Sequence, residues 1–365
     1  MNRLTNAAKY AAIIMSLIVT VTMVSGCKKN NTDVSSELNK SDIEETSQDM
    51  TGSGIEDSDV GSQSAEETAE TESTEQTESD FEENTEQIET DAGQEETQNP
   101  YIRQKEPYTG VPIYENLEHI YMNTTWEYAD HSAISDGYAV LYKASGQRKN
   151  IVVGVNAGHG TAGGSAVRTL CHPDGSLKST GGSTAAGAAT ATAVSGGMTF
   201  YDGTPESEVT LKMAEILRDK LLLEGYDVLM IRDSSDVQLD NVARTVICNN
   251  VADCHISLHW DGDGLSYDKG CFYIAVPDAI KNMSPMADHW QQHDSLGASL
   301  VDGLRGQGAK IHGSGSMAID LTQTSYSTVP SVDMELGNAS SDHSDETLEM
   351  LANGLVNGVG AFFGY

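Results

Sequence analysis

Four residues far apart in the chain have the types and placements that metal-activated water requires: His159, Glu206, His259 and Glu335. Two histidines and one carboxylate occupy three positions of a tetrahedral zinc and leave the fourth open. A further glutamate nearby can take a proton from that water and hand it to a leaving nitrogen. Taken singly, each residue has a plainer explanation. Glu206 alone is a first-turn acid favoured by a helix dipole, and either histidine alone is a structural or surface residue. Glu335, between Met334 and Leu336, is a carboxylate whose apolar neighbours favour a raised pKa. Only their joint placement points to chemistry.

That placement comes from an alternating pattern. Residues 151–155 form a continuous apolar run suited to a buried parallel strand. The run ends in Asn-Ala-Gly-His-Gly, residues 156–160, whose glycines permit a tight turn carrying His159. Thr204 and Pro205 read as N-cap and first residue of a helix, with Glu206 in its first turn. Val209, Met213, Ile216, Leu217 and Leu221 continue that helix at the right spacing, and Gly225 ends it. Strands are predicted at 226–231 and 255–259, the latter ending on His259, with a helix over 239–248 between them. Segments 270–276, 294–304, 331–336 and 346–363 continue the alternation, and Glu335 ends a strand. The pattern implies one α/β domain over residues 150–365, with a mostly parallel central sheet flanked by helices on both faces. Functional groups in such a sheet gather beyond the C-terminal ends of the strands. Residues 101–149 read as an N-terminal extension packed on this core, with a strand-like piece at 138–142. The Gly/Ala/Ser/Thr-rich segment 161–201 is too long for a simple connection.

Six motifs occur in the order found in zinc-dependent N-acetylmuramoyl-L-alanine amidases with an α/β catalytic domain, and residues 150–363 resemble that family. Residues 153–160 look like its first strand and Gly-His-Gly turn, and the segment from Glu206 to Leu211 is similar to its Glu-x-x-x-Asn-Leu helix start. Residues 225–233 resemble its Gly-Tyr-x-Val and Thr-Arg-Asp strand, and 244–249 its Arg-x-x-x-x-Asn helix. Residues 252–259 resemble the strand that ends in a histidine ligand, and 330–338 the Pro-x-x-x-x-Glu-x-Gly segment. The resemblance implies zinc held by His159, Glu206 and His259, and Glu335 as the catalytic base. It also implies peptidoglycan as substrate, cut between N-acetylmuramic acid and the L-alanine of the stem peptide, and leaves room for an activating protein partner.

Three departures bear on the site. Asn156 and Ala157 replace the family's usual Asp-Pro, and Trp260 and Asp261 follow the third ligand where small residues and Asn are commoner. The 161–201 insertion is longer than usual and follows a metal ligand directly, where it could act as a lid. His255 reads as a core or supporting histidine, the pair His289 and His293 as a helix surface, and His172 and His312 as loop residues.

The N-terminus points to export. Residues 1–27 carry Arg3 and Lys9, no acid, and an apolar run over 11–24. That is the pattern of a signal segment, and the run is shorter than the roughly 20 residues that span a bilayer. Val-Ser-Gly before Cys27 looks like a lipobox, which implies a lipidated cysteine and a protein tethered to the outer face of the cytoplasmic membrane, facing the wall. An ordinary signal peptide with an incidental cysteine fits the same residues. Residues 28–100 hold 23 acids against three lysines, more than half of the chain's net charge of −34. Such a tract is expected to be a disordered spacer, with an r.m.s. span of about 45–50 Å before charge repulsion extends it. A chain this acidic is a poor partner for nucleic acid. Cys171, Cys248, Cys254 and Cys271 match no zinc spacing and leave disulfide pairing open. Two other functions share these residues: a non-catalytic or loop-gated wall-binding lipoprotein, and a zinc exopeptidase.

Overall fold

A computed structural model describes residues 112–365. The signal-like segment, Cys27, the acidic tract and residues 101–111 lie outside the described residues. The described residues form ten strands: β1 (Tyr114–Tyr121), β2 (Tyr138–Ala144), β3 (Val152–Ala157), β4 (Arg168–Leu170), β5 (Thr190–Thr192), β6 (Asp227–Met230), β7 (Cys254–Asp261), β8 (Cys271–Ala275), β9 (Ile311–Ala318) and β10 (Ser331–Asn338). Five helices accompany them: α1 (Glu206–Leu223), α2 (Asn241–Val251), α3 (Met286–Gly306), α4 (Thr322–Tyr326) and α5 (Asp345–Phe363).

Eight strands form one sheet in the order β1-β2-β6-β3-β7-β10-β8-β9. The four central strands β6, β3, β7 and β10 run parallel. Antiparallel pairings at β2 and β8 turn the sheet back at both sides, and β9 runs parallel to β8. This is the expected α/β domain. The alternation of side chains along each strand sorts the two faces. Val140, Val153, Val155, Val228, Met230 and Ile256 pack with α1, α3 and α5, whereas Ala139, Leu141, Leu229 and Ile231 pack with α2.

On the first face α3 and α5 meet backbone to backbone. A Cβ on Gly303 would stand 2.2 Å from the Gly354 carbonyl oxygen, so no side chain fits there. The approach brings Leu300 and Leu304 against Leu351 and Leu355, all buried. Each contributes about 1.5–3 kcal/mol when fully buried.

Two local expectations change. Helix α1 begins at Glu206, with Pro205 in extended conformation at the cap and no side-chain capping bond. The Thr204 carbonyl accepts the Phe200 N–H instead, in a bridge between Thr199 and Pro205. Strand β9 was not foreseen, because Gly313, Gly315 and neighbouring serines break its apolar pattern. It exists because β8 offers a parallel edge at residues 271–275. The four described cysteines are buried free thiols. Among the described residues no helix is long and apolar enough to cross a membrane.

Gly303→Val should lower unfolding free energy by about 1–3 kcal/mol through overpacking, read by urea denaturation. Gly306→Ala, where a Cβ meets nothing within 4 Å, should not destabilise the domain.

Candidate metal centre

Because β3, β7 and β10 are parallel neighbours, their C-terminal ends open on one edge of the sheet. His159 follows β3, His259 lies near the end of β7, and Glu335 on β10 pairs directly with His259. Glu206 arrives from the same side as the first residue of α1. His159 Nε2 stands 2.9 Å from Glu206 Oε1 and 3.0 Å from His259 Nδ1. The third side, His259 Nδ1 to Glu206 Oε1, is 3.1 Å. Zinc bonded to N and O donors at about 2.0–2.1 Å in a tetrahedron keeps its ligands roughly 3.3 Å apart. The triangle is only slightly tighter than that, and its residues form the cluster able to hold a metal among the described residues.

Each donor is held from behind. His159 adopts left-handed backbone geometry, φ 65°, which is uncommon outside glycine and costs energy. Its Nδ1 lies 2.9 Å from the Ser195 carbonyl, a contact that requires Nδ1–H and leaves the Nε2 lone pair facing the cluster. Glu206 Oε2 accepts the Met198 N–H at 2.8 Å, and Oε1 accepts the Trp260 N–H at 3.0 Å. Gly158 makes room for the second histidine, since a Cβ there would stand 2.3 Å from His259 Cε1.

Two arginines fix the turn itself. Arg244 donates from Nη1 to Asn156 Oδ1 and the Ala157 carbonyl, and from Nη2 to the His159 carbonyl at 2.7 Å and Thr161 Oγ1. Arg232 donates to the carbonyls of Ala157, Gly158 and Ser207. Burial pushes both guanidinium groups down, Arg244 to about 9 and Arg232 to about 10. Asn156 completes the arrangement by donating to Ser257 Oγ at 2.9 Å while accepting from Arg244. A carboxylate at this position would lack the donor.

The electrostatics favour a cation. Burial alone would raise the Glu206 carboxyl, but hydrogen bonds and charge from His159 and His259 hold it well below the usual range. Burial opposes a charge on His259, yet Asp333, Glu206 and Glu335 together push it up to about 10. Glu335 is driven well above the usual carboxylate range by burial and then by Asp333, and its Oε2 is buried without a hydrogen-bond partner. A carboxyl group whose pKa lies above the usual range is, once ionised, a stronger proton acceptor than an exposed one.

A cleft of about 600 Å³ opens over the cluster. The 161–201 insertion forms one wall through Lys178, Thr184 and Thr192, and the segment after β9 forms the other through Ile319 and Thr322. The insertion is ordered around the β4–β5 ribbon and latched at its base. His172 Nε2 lies 2.8 Å from Asp320 Oδ1, and Ser179 donates to Oδ2 from its N–H and its hydroxyl. The His259 side chain keeps 20% of its exposure, so the insertion borders the cluster without sealing it.

Several smaller readings are corrected by burial. His172 lies in a loop as read from sequence but is fully buried on Asp320. His312 lies in β9, and His293 on α3 is buried, accepting the Ser331 N–H at 2.9 Å. His255 is a core residue, as read from sequence, with Ser331 Oγ at 3.3 Å. Trp260 turns into the core against Phe200, while Asp261 stays at the cleft and pairs with Lys269. Ser195, Met198 and Asp333 were missed, because nothing in their local sequence marks them as neighbours of His159, Glu206 and His259.

Fold and edge cluster together define an α/β protein with a candidate metal centre at the floor of a cleft. Residues 153–354 match the family model described as N-acetylmuramoyl-L-alanine amidase, more than half of the 365-residue chain. The chain belongs to that family. Solved structures of similar proteins include the apo form of the N-acetylmuramyl-L-alanine amidase Ami1 from Mycobacterium abscessus, at 20% identity and TM-score 0.47, covering 59% of this chain and 99% of that one. Ami1 from Mycobacterium smegmatis is similar at 19% identity and TM-score 0.48, covering 59% and 97%. The CwlD amidase from Clostridioides difficile, solved in complex with the GerS lipoprotein, is similar at 17% and TM-score 0.41, covering 59% and 99%. No curated protein matches the chain.

Arg244→Leu would leave the His159 carbonyl and Asn156 Oδ1 without their guanidinium donor, while the Ala157 carbonyl keeps Arg232. Unpaired buried acceptors cost about 1–3 kcal/mol each, so stability to urea should fall by about 3 kcal/mol. Arg244→Lys should not restore it, because a single ammonium cannot span the same acceptors.

Proposed function

We propose that this chain is a zinc-dependent hydrolase of peptidoglycan, cutting the amide between N-acetylmuramic acid and the L-alanine of the stem peptide. The observation that carries the reading is the convergence of His159 Nε2, Glu206 Oε1 and His259 Nδ1 within 3.1 Å of one another, with the orphaned Glu335 Oε2 on the neighbouring strand. His159, Glu206 and His259 would hold the metal. Zinc bound there supplies an acidified water and a polarised carbonyl. Glu335 accepts the proton of the attacking water and returns it to the alanine nitrogen as the C–N bond breaks. The cleft walls orient the glycan and the peptide on either side of that bond.

Membership of the amidase family supports the substrate. An unsealed cleft favours a catalyst over a gated or inert wall-binding protein. Export and tethering through lipidated Cys27 belong to the same proposal and rest on the N-terminal sequence alone, with the acidic tract as spacer between membrane and wall. No nucleic-acid partner is proposed.

The test is digestion of purified peptidoglycan by the full chain, with and without a zinc chelator, read by mass spectrometry of the soluble products. Chelator-sensitive release of stems bearing a free L-alanine amine from intact glycan is expected. Release of single amino acids from the free end of the stem would instead mark an exopeptidase, and zinc-loaded protein that binds the wall without product would mark a binder. Glu335→Ala should retain zinc and lose about 10²–10⁴-fold in rate, whereas His259→Ala should lose zinc and activity together. Parent-rate hydrolysis by Glu335→Ala would remove Glu335 from its role.

A further inference from the structure

Asp333 stands beside the cluster without a function in the mechanism above. It lies on β10 two residues before Glu335, hence on the same face of the sheet. The parallel pairing of β10 with β7 sets that face against His259. Nδ1 of His259 faces the other two donors, at 3.0 and 3.1 Å. Its other nitrogen, Nε2, lies 3.9 Å from Asp333 Oδ2. Asp333 Oδ1 is buried with no hydrogen-bond partner. A buried carboxylate oxygen without a donor is expensive to keep, so its presence calls for a positive or N–H-bearing neighbour.

The two histidines of the cluster differ in how their remaining nitrogens are served. His159 has the Ser195 carbonyl at 2.9 Å from Nδ1. His259 has the Asp333 carboxylate on its Nε2 side, 3.9 Å away, and a shift of about 1 Å brings that pair to hydrogen-bond distance. Histidine ligands usually donate their second N–H to such an acceptor, which sets the tautomer and strengthens the metal-facing lone pair.

We propose that Asp333 is the positioning residue of the metal centre: it accepts the Nε2–H of His259, fixes the tautomer with Nδ1 unprotonated, and holds the ring against Gly158. The inference rests on the zinc reading above and adds to it a residue outside the ligand set.

The experiment measures zinc affinity of the full chain by competition against a chromophoric chelator, for the wild type, Asp333→Asn and Asp333→Leu. Asp333→Leu should bind zinc about 10–100-fold more weakly. Asp333→Asn, whose amide oxygen still accepts a hydrogen bond, should fall between it and the wild type. Visible absorption of the cobalt-substituted proteins should change in the same order. In the metal-free state Asp333→Leu should melt at or above the wild-type temperature, because a buried carboxyl oxygen without a hydrogen-bond donor has been removed. A purely structural role for Asp333 predicts the opposite melting result. Variants with wild-type zinc affinity and an unchanged cobalt spectrum, beside a wild type that binds zinc, would overturn the role of Asp333 alone. A wild type that takes up no zinc would overturn the metal reading and this inference with it.

Discussion

Arg232 and Arg244 are buried, and among the described residues neither has an ion pair; backbone carbonyls of residues 157–159 take the place of carboxylates. A guanidinium removed from water must recover its hydration from fixed dipoles, and it does so only if nearly every N–H finds an acceptor in good geometry. That demand is mutual. The carbonyls at the end of β3 have left the sheet's hydrogen-bond ladder and need donors of their own. The result is a rigid turn in which His159 can persist at a positive φ. Because Arg232 follows β6 and Arg244 sits on α2, the same bonds tie the turn to both faces of the sheet.

A second constraint runs through the charge at the sheet edge. Glu206, Asp333 and Glu335 all face His259 closely enough to alter its protonation. Three carboxylates around one imidazole form a site with a deficit of positive charge, which a bound dication would remove. The backbone N–H groups of Met198 and Trp260 hold Glu206 in place regardless of that charge, so the triangle of donor atoms is set by hydrogen bonds that no metal is needed to form.

The long insertion takes part in this preparation. Its Ser195 carbonyl sets the tautomer of His159, and its base is latched by the buried His172–Asp320 pair. A segment that supplies both a wall of the cleft and the partner of His159 is part of the candidate site. Its length makes sense in those terms, since it must travel from the end of β3 across to residue 320 and return to the start of α1.

The alternation of apolar runs with helical spacing was sufficient to read the strands at the heart of the sheet, because a strand buried on both faces, such as β3, leaves an uninterrupted apolar signal. The positions of His159, Glu206, His259 and Glu335 at element ends were legible for the same reason, and local sequence set which residues reach the sheet edge. Strand β9 was hidden, since glycines and serines there pair only because β8 presents an edge. Burial of His172 and His293, the role of Arg244 as a clamp, and the approach of Asp333 to His259 arise from contacts between residues 38 to 148 positions apart in the chain. Periodicity reports how a residue relates to its own element. Which carbonyl meets which guanidinium, and which carboxylate meets which ring, depends on strand register and on how the turns aim their side chains, and only the tertiary structure decides that.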